Sequence, residues 1–173
     1  MLRRVLRFLD AAIRWLGIVA LGIAAVFIAL LAAIGAADIF GTALFASPVA
    51  GALELSEAGL VIIVFMGLAH AQRGRAHVTV DILTARFTGL ARDLSLGLAL
   101  AAAAAFFGFL AWRSGIAAWE SVQIDERSMG ASAFPLWPGK IAMWLGCFVA
   151  MLESLRQLVH LLLGRPDPEG GHD

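Results

Sequence analysis

Charged residues are scarce in this sequence. Lys, Arg, Asp and Glu make up 15% of its 173 residues, whereas 61% are hydrophobic. A soluble domain has about a quarter charged residues and about half apolar ones, and a core of this size could not bury the excess apolar surface. The bilayer is therefore the expected solvent. The net charge is zero, which excludes a global field for binding nucleic acid, so no nucleic-acid partner is expected.

Cysteine is almost absent as well. The single Cys147 excludes an internal disulfide and a Cys-based metal pattern, and we expect it to pack as a small apolar residue in a helix. His70 and His77 have no third ligand at a suitable spacing, and no nucleophile is paired with a base. The sequence therefore predicts neither an enzyme nor a metal or cofactor site.

Four apolar stretches are long enough to cross a membrane as helices. The predicted spans are residues 15–37, 55–71, 94–118 and 138–163. At about 1.5 Å per residue the first reaches roughly 34 Å, which exceeds a hydrocarbon core of about 30 Å. It is also longer than the apolar region of a secretory signal, so we interpret it as a retained helix.

Two further segments are amphipathic. Residues 1–14 place apolar side chains on one helical face and arginines on the opposite face, which predicts an interfacial helix on an anionic leaflet. The loop of residues 72–93 repeats Leu83 and Phe87 at helical spacing, which predicts a second interfacial helix. Residues 164–173 are rich in Pro and Gly and are expected to form a disordered tail.

The basic residues are distributed unevenly between the two sides of this arrangement. Four spans place both termini on one side, and that side would hold ten of the 13 Lys and Arg residues. The other side would hold only Arg113, Arg127 and Lys140. The positive-inside rule then predicts that the N and C termini are cytoplasmic.

Groups that could drive transport are missing from most of the predicted spans. A transporter built by this chain alone should carry ionisable residues near the midplane, broken helices or an inverted repeat. The first three spans have no charge near their centres, and the two halves show no repeat. The fourth holds Glu153 and Arg156, which we interpret as an i,i+3 ion pair with Arg156 extending to the inner headgroups.

Polar residues gather instead at the predicted rims. Glu54 and Glu57 share a face at the outer start of the second helix, where they could either complement the helix dipole or dock a partner. His77 and Asp81, spaced i,i+4, could hydrogen-bond each other on the inner loop. Three functional classes stay open at this point: a helper subunit of a transporter, a self-contained four-helix transporter acting as a homodimer, and a structural protein of an unrelated complex.

Three segments resemble one family, in the same order along the chain. They are residues 38–57, residues 67–81 with His77 and Asp81, and residues 128–140 with Pro135, Trp137, Pro138 and Lys140. Together they resemble the small permease subunit (DctQ-like) of tripartite ATP-independent periplasmic (TRAP) transporters. The chain departs from the family pattern at Thr42, where Arg usually follows the glycine, and at Arg75-Ala76, where a second glycine is common.

The resemblance implies an all-α integral membrane subunit that is not catalytic. Its implied partners are a large membrane permease subunit, a periplasmic substrate-binding protein and the lipid of the bacterial inner membrane. The implied process is sodium-coupled uptake of organic acids. In that setting the outer loops, with Glu54, Glu57 and Arg127, would form part of the dock for the binding protein. Substrate specificity would lie in another polypeptide.

Overall fold

The computed structural model of this chain describes residues 2–73, 90–129 and 133–163. These ranges contain four α-helices: α1 (Leu2–Phe45), α2 (Ala52–Arg73), α3 (Leu90–Gln123) and α4 (Trp137–Leu162). Each helix is long and apolar enough to cross a membrane. The prediction of an all-α chain with four candidate spans is thereby confirmed, whereas the side that each end faces stays a prediction.

The bounds of three helices agree well with the predicted spans. α2 and α4 match residues 55–71 and 138–163 to within three residues at each end. α3 extends the third predicted span at both ends, most at its second end, which lies at Gln123 instead of residue 118. The predicted interfacial helix of residues 72–93 falls largely outside the described residues, and the predicted tail of residues 164–173 falls entirely outside them.

α1 is longer than the first predicted span in both directions. Residues 2–14 continue into the span without a break, so the amphipathic segment and the span form one helix; its place in the headgroup layer stays a prediction. The expectation that a loop begins at residue 38 is wrong, because α1 continues to Phe45. Asp38 lies within α1, and its side chain serves the following turn: its Oδ1 accepts a hydrogen bond from the Val49 N–H at 2.8 Å.

The turn after α1 reverses the chain over a few residues. Ala46 adopts a left-handed φ of 48°, and the N–H of Ser47 donates to the carbonyl of Gly41 at 3.2 Å. A Cβ at Gly41 would lie 2.8 Å from the Ser47 carbonyl oxygen. Glycine is therefore required at position 41 by the close approach of the returning chain.

The four helices form an open row instead of a closed bundle. α4 packs against both α2 and α3, whereas α1 packs mainly on α2 and makes a smaller contact with α4. Half of the residues in the most apolar stretch of α4 are buried, compared with 17% for the corresponding stretch of α1 and 22% for that of α3. The order across the row is therefore α1, α2, α4, α3, with α1 and α3 at its two edges.

Small residues on α4 bring α2 into close contact with it. Gly139, Ala142, Gly146 and Ala150 are all buried on one face of the helix. A Cβ at Gly146 would lie only 2.0 Å from the Phe65 carbonyl oxygen. The two backbones therefore cross at Gly146 with no room for a methyl group, the geometry that small residues permit between membrane helices.

Side-chain contacts show which helix ends lie together. Asp10 of α1 contacts His160 of α4, and Gln72 of α2 contacts Ser154 of α4. We call the end of the row where α1 begins and α4 ends the terminal end. The opposite end, where α2 and α4 begin, is the far end.

Candidate functional sites at the two ends of the row

Seven polar side chains from three helices meet towards the terminal end. Most of them are buried although they belong to candidate spans. We call this set the polar cluster: Asp10 on α1, Gln72 on α2, and Glu153, Ser154, Arg156, Gln157 and His160 on α4. The α4 members follow helical spacing and so share the face that α4 turns towards α1 and α2.

An ion pair lies at the centre of the polar cluster. Arg156 Nη2 lies 2.7 Å from Glu153 Oε1, which confirms the predicted i,i+3 pair. The expectation that Arg156 extends to the headgroups is wrong, because its side chain is only 7% exposed. The reason is the length of α1: its first turns run beside α4 and place Asp10 Oδ1 3.6 Å from Arg156 Nη1, so the guanidinium finds carboxylates inside the protein.

Two glutamines extend this ion pair to α2. Gln157 Nε2 donates to Glu153 Oε1 at 3.0 Å and to the backbone carbonyl of Gln72 at 3.1 Å. Gln72 Nε2 in turn donates to Ser154 Oγ at 3.0 Å. Because buried polar groups are costly unless they are hydrogen-bonded, these contacts fix α2 and α4 in one relative position.

Asp10 attaches α1 to the same cluster. Its Oδ1 lies 3.1 Å from His160 Nε2. A side cavity of about 180 Å³ opens beside this contact and is otherwise lined mostly by apolar side chains. Among the described residues, no group of three His, Cys, Asp or Glu side chains could hold a metal ion. The contacts of the polar cluster therefore connect α1, α2 and α4 to one another.

The sequence prediction missed most of the polar cluster. Asp10 fell within the predicted interfacial helix of residues 1–14, and Gln72, Gln157 and His160 were given no role. One signal was present: Glu153, Gln157 and His160 follow i, i+4, i+7 spacing on an otherwise apolar helix.

At the far end, the segment between α3 and α4 closes into a short clip. Arg127 and Pro135 form an isolated antiparallel bridge, and the Ser128 N–H donates to the Phe134 carbonyl at 2.8 Å. The chain therefore folds back on itself before Trp137 starts α4. Two of the predicted motif residues, Arg127 and Pro135, are brought together by backbone contacts.

Ion pairs hold this clip to α4 and to itself. Glu126 pairs with Lys140 in the first turn of α4, and the hydrogen bond from Lys140 lowers the pKa of the Glu126 carboxyl below its ordinary value. Arg127 pairs with Asp125 at 2.7 Å, and both side chains are more than half exposed. Arg127 therefore forms its ion pair within the clip and not with Glu54 or Glu57.

The predicted glutamates lie at this same end. Glu54 is buried in the first turn of α2, whereas Glu57 is exposed. The first turn of α4 is close by, because a Cβ at Gly139 would lie 3.7 Å from Val61 Cγ1. Pro138 occupies that turn as predicted. The structure thus gathers the start of α2 and the start of α4, while His77 and Asp81 lie outside the described residues.

A wide apolar groove runs between α3 and α4 in the far half of the row. It encloses about 680 Å³, and its walls include Trp112, Trp119 and Trp144. Gly115 forms part of the floor, since a Cβ there would lie 3.0 Å from the Trp144 ring. Glu120 is the charged member of the lining. Such a groove presents apolar surface and offers no set of reactive groups.

Comparison with known protein families identifies a match over most of the chain. The family described as tripartite ATP-independent periplasmic transporters, DctQ component, matches residues 31–164. This range includes the last turns of α1, all of α2, α3 and α4, and the far-end clip. No curated protein and no solved structure matches the chain.

Proposed function

Because the chain belongs to the DctQ family of TRAP transporter components, we propose that its helix row is a static scaffold for a large membrane subunit. The family is not enzymatic, and membership implies a complex with that large subunit and a periplasmic binding protein. We further propose that the complex takes up organic acids with sodium, that it resides in a bacterial inner membrane, and that the terminal end of the row is cytoplasmic.

The observation that carries this proposal is the packing between α2 and α4. A solute that crossed the row would need polar groups or space along this contact, as transporters provide near the midplane. The contact is filled by Gly139, Ala142, Gly146 and Ala150 against the backbone of α2. The polar cluster lies nearer the terminal end and its charges are paired there. These features support a partner subunit as the mover of the solute.

The polar cluster supports the proposal that the helix row does not change its shape during transport. A moving element needs alternative packings of similar free energy, and its interfaces are therefore bistable. Here a buried carboxylate, a guanidinium and two amides connect α2 and α4 through specific hydrogen bonds, and Asp10 connects α1 through His160. Sliding one helix along another would leave these groups unpaired in an apolar environment. The row is therefore suited to hold its shape while the large subunit moves.

Reconstitution into liposomes tests the function directly. We expect sodium-dependent accumulation of an organic acid only when this chain, the large membrane subunit and the binding protein are all present. Liposomes that lack any one of the three serve as controls, and the large subunit without this chain is the informative one. Saturable, ion-driven transport by this chain alone would contradict the proposal and favour a homodimeric transporter.

The far end is proposed to form part of the dock for the binding protein. Glu57 and the Arg127–Asp125 pair are exposed there. We expect Glu57→Arg to reduce uptake about tenfold, because it reverses a charge at the contact, while leaving membrane insertion unchanged. Asp93→Arg, at an exposed acidic position in the first turn of α3 at the terminal end, is the control. Equal uptake by the Glu57→Arg variant and the natural chain would remove Glu57 from the dock.

A further inference from the structure

Arg113 is a charged side chain inside a candidate span. It lies on α3 ten residues before the helix ends at Gln123, and about 7 Å from the middle of the span Asp93–Gln123. With the middle of this span at the midplane of a hydrocarbon core about 30 Å thick, the Cα of Arg113 would lie inside the hydrocarbon. Its side chain is exposed, and the described residues supply no hydrogen bond or ion pair to it.

Arg113 points away from the rest of the row. α3 turns a regular stripe of residues towards α4, including Leu100, Ala104, Phe107 and Ala111, all buried. Arg113 lies on the opposite side of the helix, where every third or fourth residue is exposed. We call this side the outward α3 face: Leu98, Ala102, Ala105, Phe109 and Arg113.

An arginine in this position needs a partner of opposite charge. Ionisable side chains within membrane spans almost always face other protein or a water-filled cavity, and they are paired there. The outward α3 face is one edge of the row, so the residues that the structure describes supply nothing to cover it. We propose that a helix of the large membrane subunit packs on the outward α3 face and places a carboxylate against Arg113. This inference rests on the proposed function.

The face itself favours a helix over lipid. Ala102 and Ala105 are small and exposed, and small residues let two helix backbones approach closely, whereas lipid chains gain little from them. Phe109 is 61% exposed one turn from Arg113, and aromatic and arginine side chains are the residues enriched at the energetic centres of interfaces. Small, aromatic and charged positions thus follow one another along a single face.

A second copy of this chain is a poorer occupant. Two copies inserted in the same direction would pack their outward α3 faces at equal depth. A two-fold axis between them would then place Arg113 opposite Arg113. Like charges in an apolar medium repel strongly. The large subunit can supply the opposite charge at that depth, so the charge of Arg113 favours the large subunit as the partner on this face.

Co-purification of the two membrane subunits tests the pairing. In cells that express the whole complex, Arg113→Leu should lower recovery of the large subunit with this chain about tenfold or more, and Arg113→Glu should lower it further. Arg113→Leu makes the span more apolar, so insertion and helical content should not change. The matched control is Arg14→Leu, at an exposed arginine of α1 on the other edge, for which recovery should stay at the level of the natural chain.

The other outcomes are distinct. If recovery is unchanged for all Arg113 variants while co-purified phospholipid falls, Arg113 binds a lipid phosphate and the proposed contact is wrong. Unchanged recovery together with unchanged lipid also overturns it. If the natural chain itself fails to co-purify with the large subunit, the proposed function fails, which is a separate result from losing the contact at Arg113.

A photo-crosslinking residue tests the same face without disturbing any charge. Placed at Ala102 on the outward α3 face, it should form an adduct with the large subunit in native membranes. Placed at Ala29, an exposed alanine of α1, it should form none. Adducts from Ala29 and none from Ala102 would move the contact to the α1 edge and overturn the proposal.

Discussion

The two edge helices of the row, α1 and α3, are equally exposed but differ in chemistry. α1 and α3 each bury about a fifth of their most apolar windows. Between Arg14 and Asp38, however, α1 carries no charged residue, and its exposed side chains are aliphatic with a Trp at the start. α3 carries Arg113 and a series of exposed aromatic side chains. Lipid can cover the first surface without cost, whereas the second needs a partner that neutralises a charge.

The edges also differ in how they are attached to the centre. α1 is fastened near the terminal end, where Asp10 contacts His160 and Arg156. α3 is fastened at the far end, where the clip joins it to α4 through the Glu126–Lys140 pair. Both attachments reach α4, so the charges that hold the row together converge on its most buried helix. Changes at the centre should therefore affect both edges, and changes at one attachment should affect only one.

The largest effect is expected where α2 crosses α4. Gly146→Ala places a methyl group 2.0 Å from the Phe65 carbonyl oxygen, a backbone atom that cannot move without shifting α2. We expect a cost of about 3 kcal/mol or more and loss of a monodisperse peak in size-exclusion chromatography. Gly22→Ala on the α1 edge is the control, because nothing lies within 4 Å of its new Cβ. Equal profiles for the two variants would mean that α2 and α4 do not pack closely at Gly146.

The next effect is expected at Glu153, in the polar cluster of α4. Glu153→Leu removes the carboxylate that accepts hydrogen bonds from Arg156 and Gln157. Breaking a buried ion pair costs about 3 kcal/mol or more, which should lower the thermal midpoint in detergent by roughly 10 °C. Glu120→Leu, at an exposed position of α3, should change the midpoint little. A stable Glu153→Leu variant would show that the centre of the row is held by packing alone.

A smaller and local effect is expected at the attachment of α1. Asp10→Ala removes the contacts with His160 and Arg156, at a cost of about 2 kcal/mol for hydrogen bonds to a charged group. Hydrogen–deuterium exchange should become faster in the first turns of α1 and stay unchanged in α3. In the control Asp38→Ala, which removes the bond to Val49, faster exchange should be confined to the far end of α1. Faster exchange throughout the row after Asp10→Ala would refute separate attachments.

The smallest effect is a pH dependence at the attachment of α3. Because the pKa of Glu126 is lowered in the folded chain, its ion pair contributes stability above the ordinary pKa of about 4.5. That contribution is lost as the pH falls through the lowered pKa. The thermal midpoints of the natural chain and of Glu126→Gln should therefore differ slightly at pH 7 and converge below pH 4.5. A difference that grows on acidification has the wrong sign and would exclude the pair as a support.

Much of this fold could be predicted because the membrane restricts what a chain can do. Apolar runs of sufficient length must form helices, since only helices and closed barrels satisfy backbone polar groups in lipid. The residues at which the helices begin and end were harder to predict. The first predicted span ended at residue 37, yet Asp38 bonds to Val49 across the turn from within α1. Helix propensities describe neighbours in sequence and do not report such a contact.

The candidate sites, like the fold, could be predicted from the sequence only in part. The i,i+3 pair of Glu153 and Arg156 could be predicted because its spacing is local. Its surroundings could not, since Gln72 is separated from Gln157 by 85 positions and Asp10 from His160 by 150. The place of Arg113 along its helix also depended on the structure: the predicted span ended at residue 118, and the continuation of α3 to Gln123 brings Arg113 nearer the middle of the helix. Each of these facts requires knowing which helices are neighbours.

The unbroken length of α1 constrains how the helix lies in the membrane. The candidate span Asp10–Phe45 has 36 residues and is about 54 Å long. Fitting that length into about 30 Å of hydrocarbon by inclination alone would require a tilt near 56°, beyond the range of about 0–40° seen for spanning helices. The span therefore cannot lie wholly within the hydrocarbon: its uncharged stretch, residues 15–37, is about 34 Å long and fits, whereas the turns beyond Arg14 and Asp38 project past it.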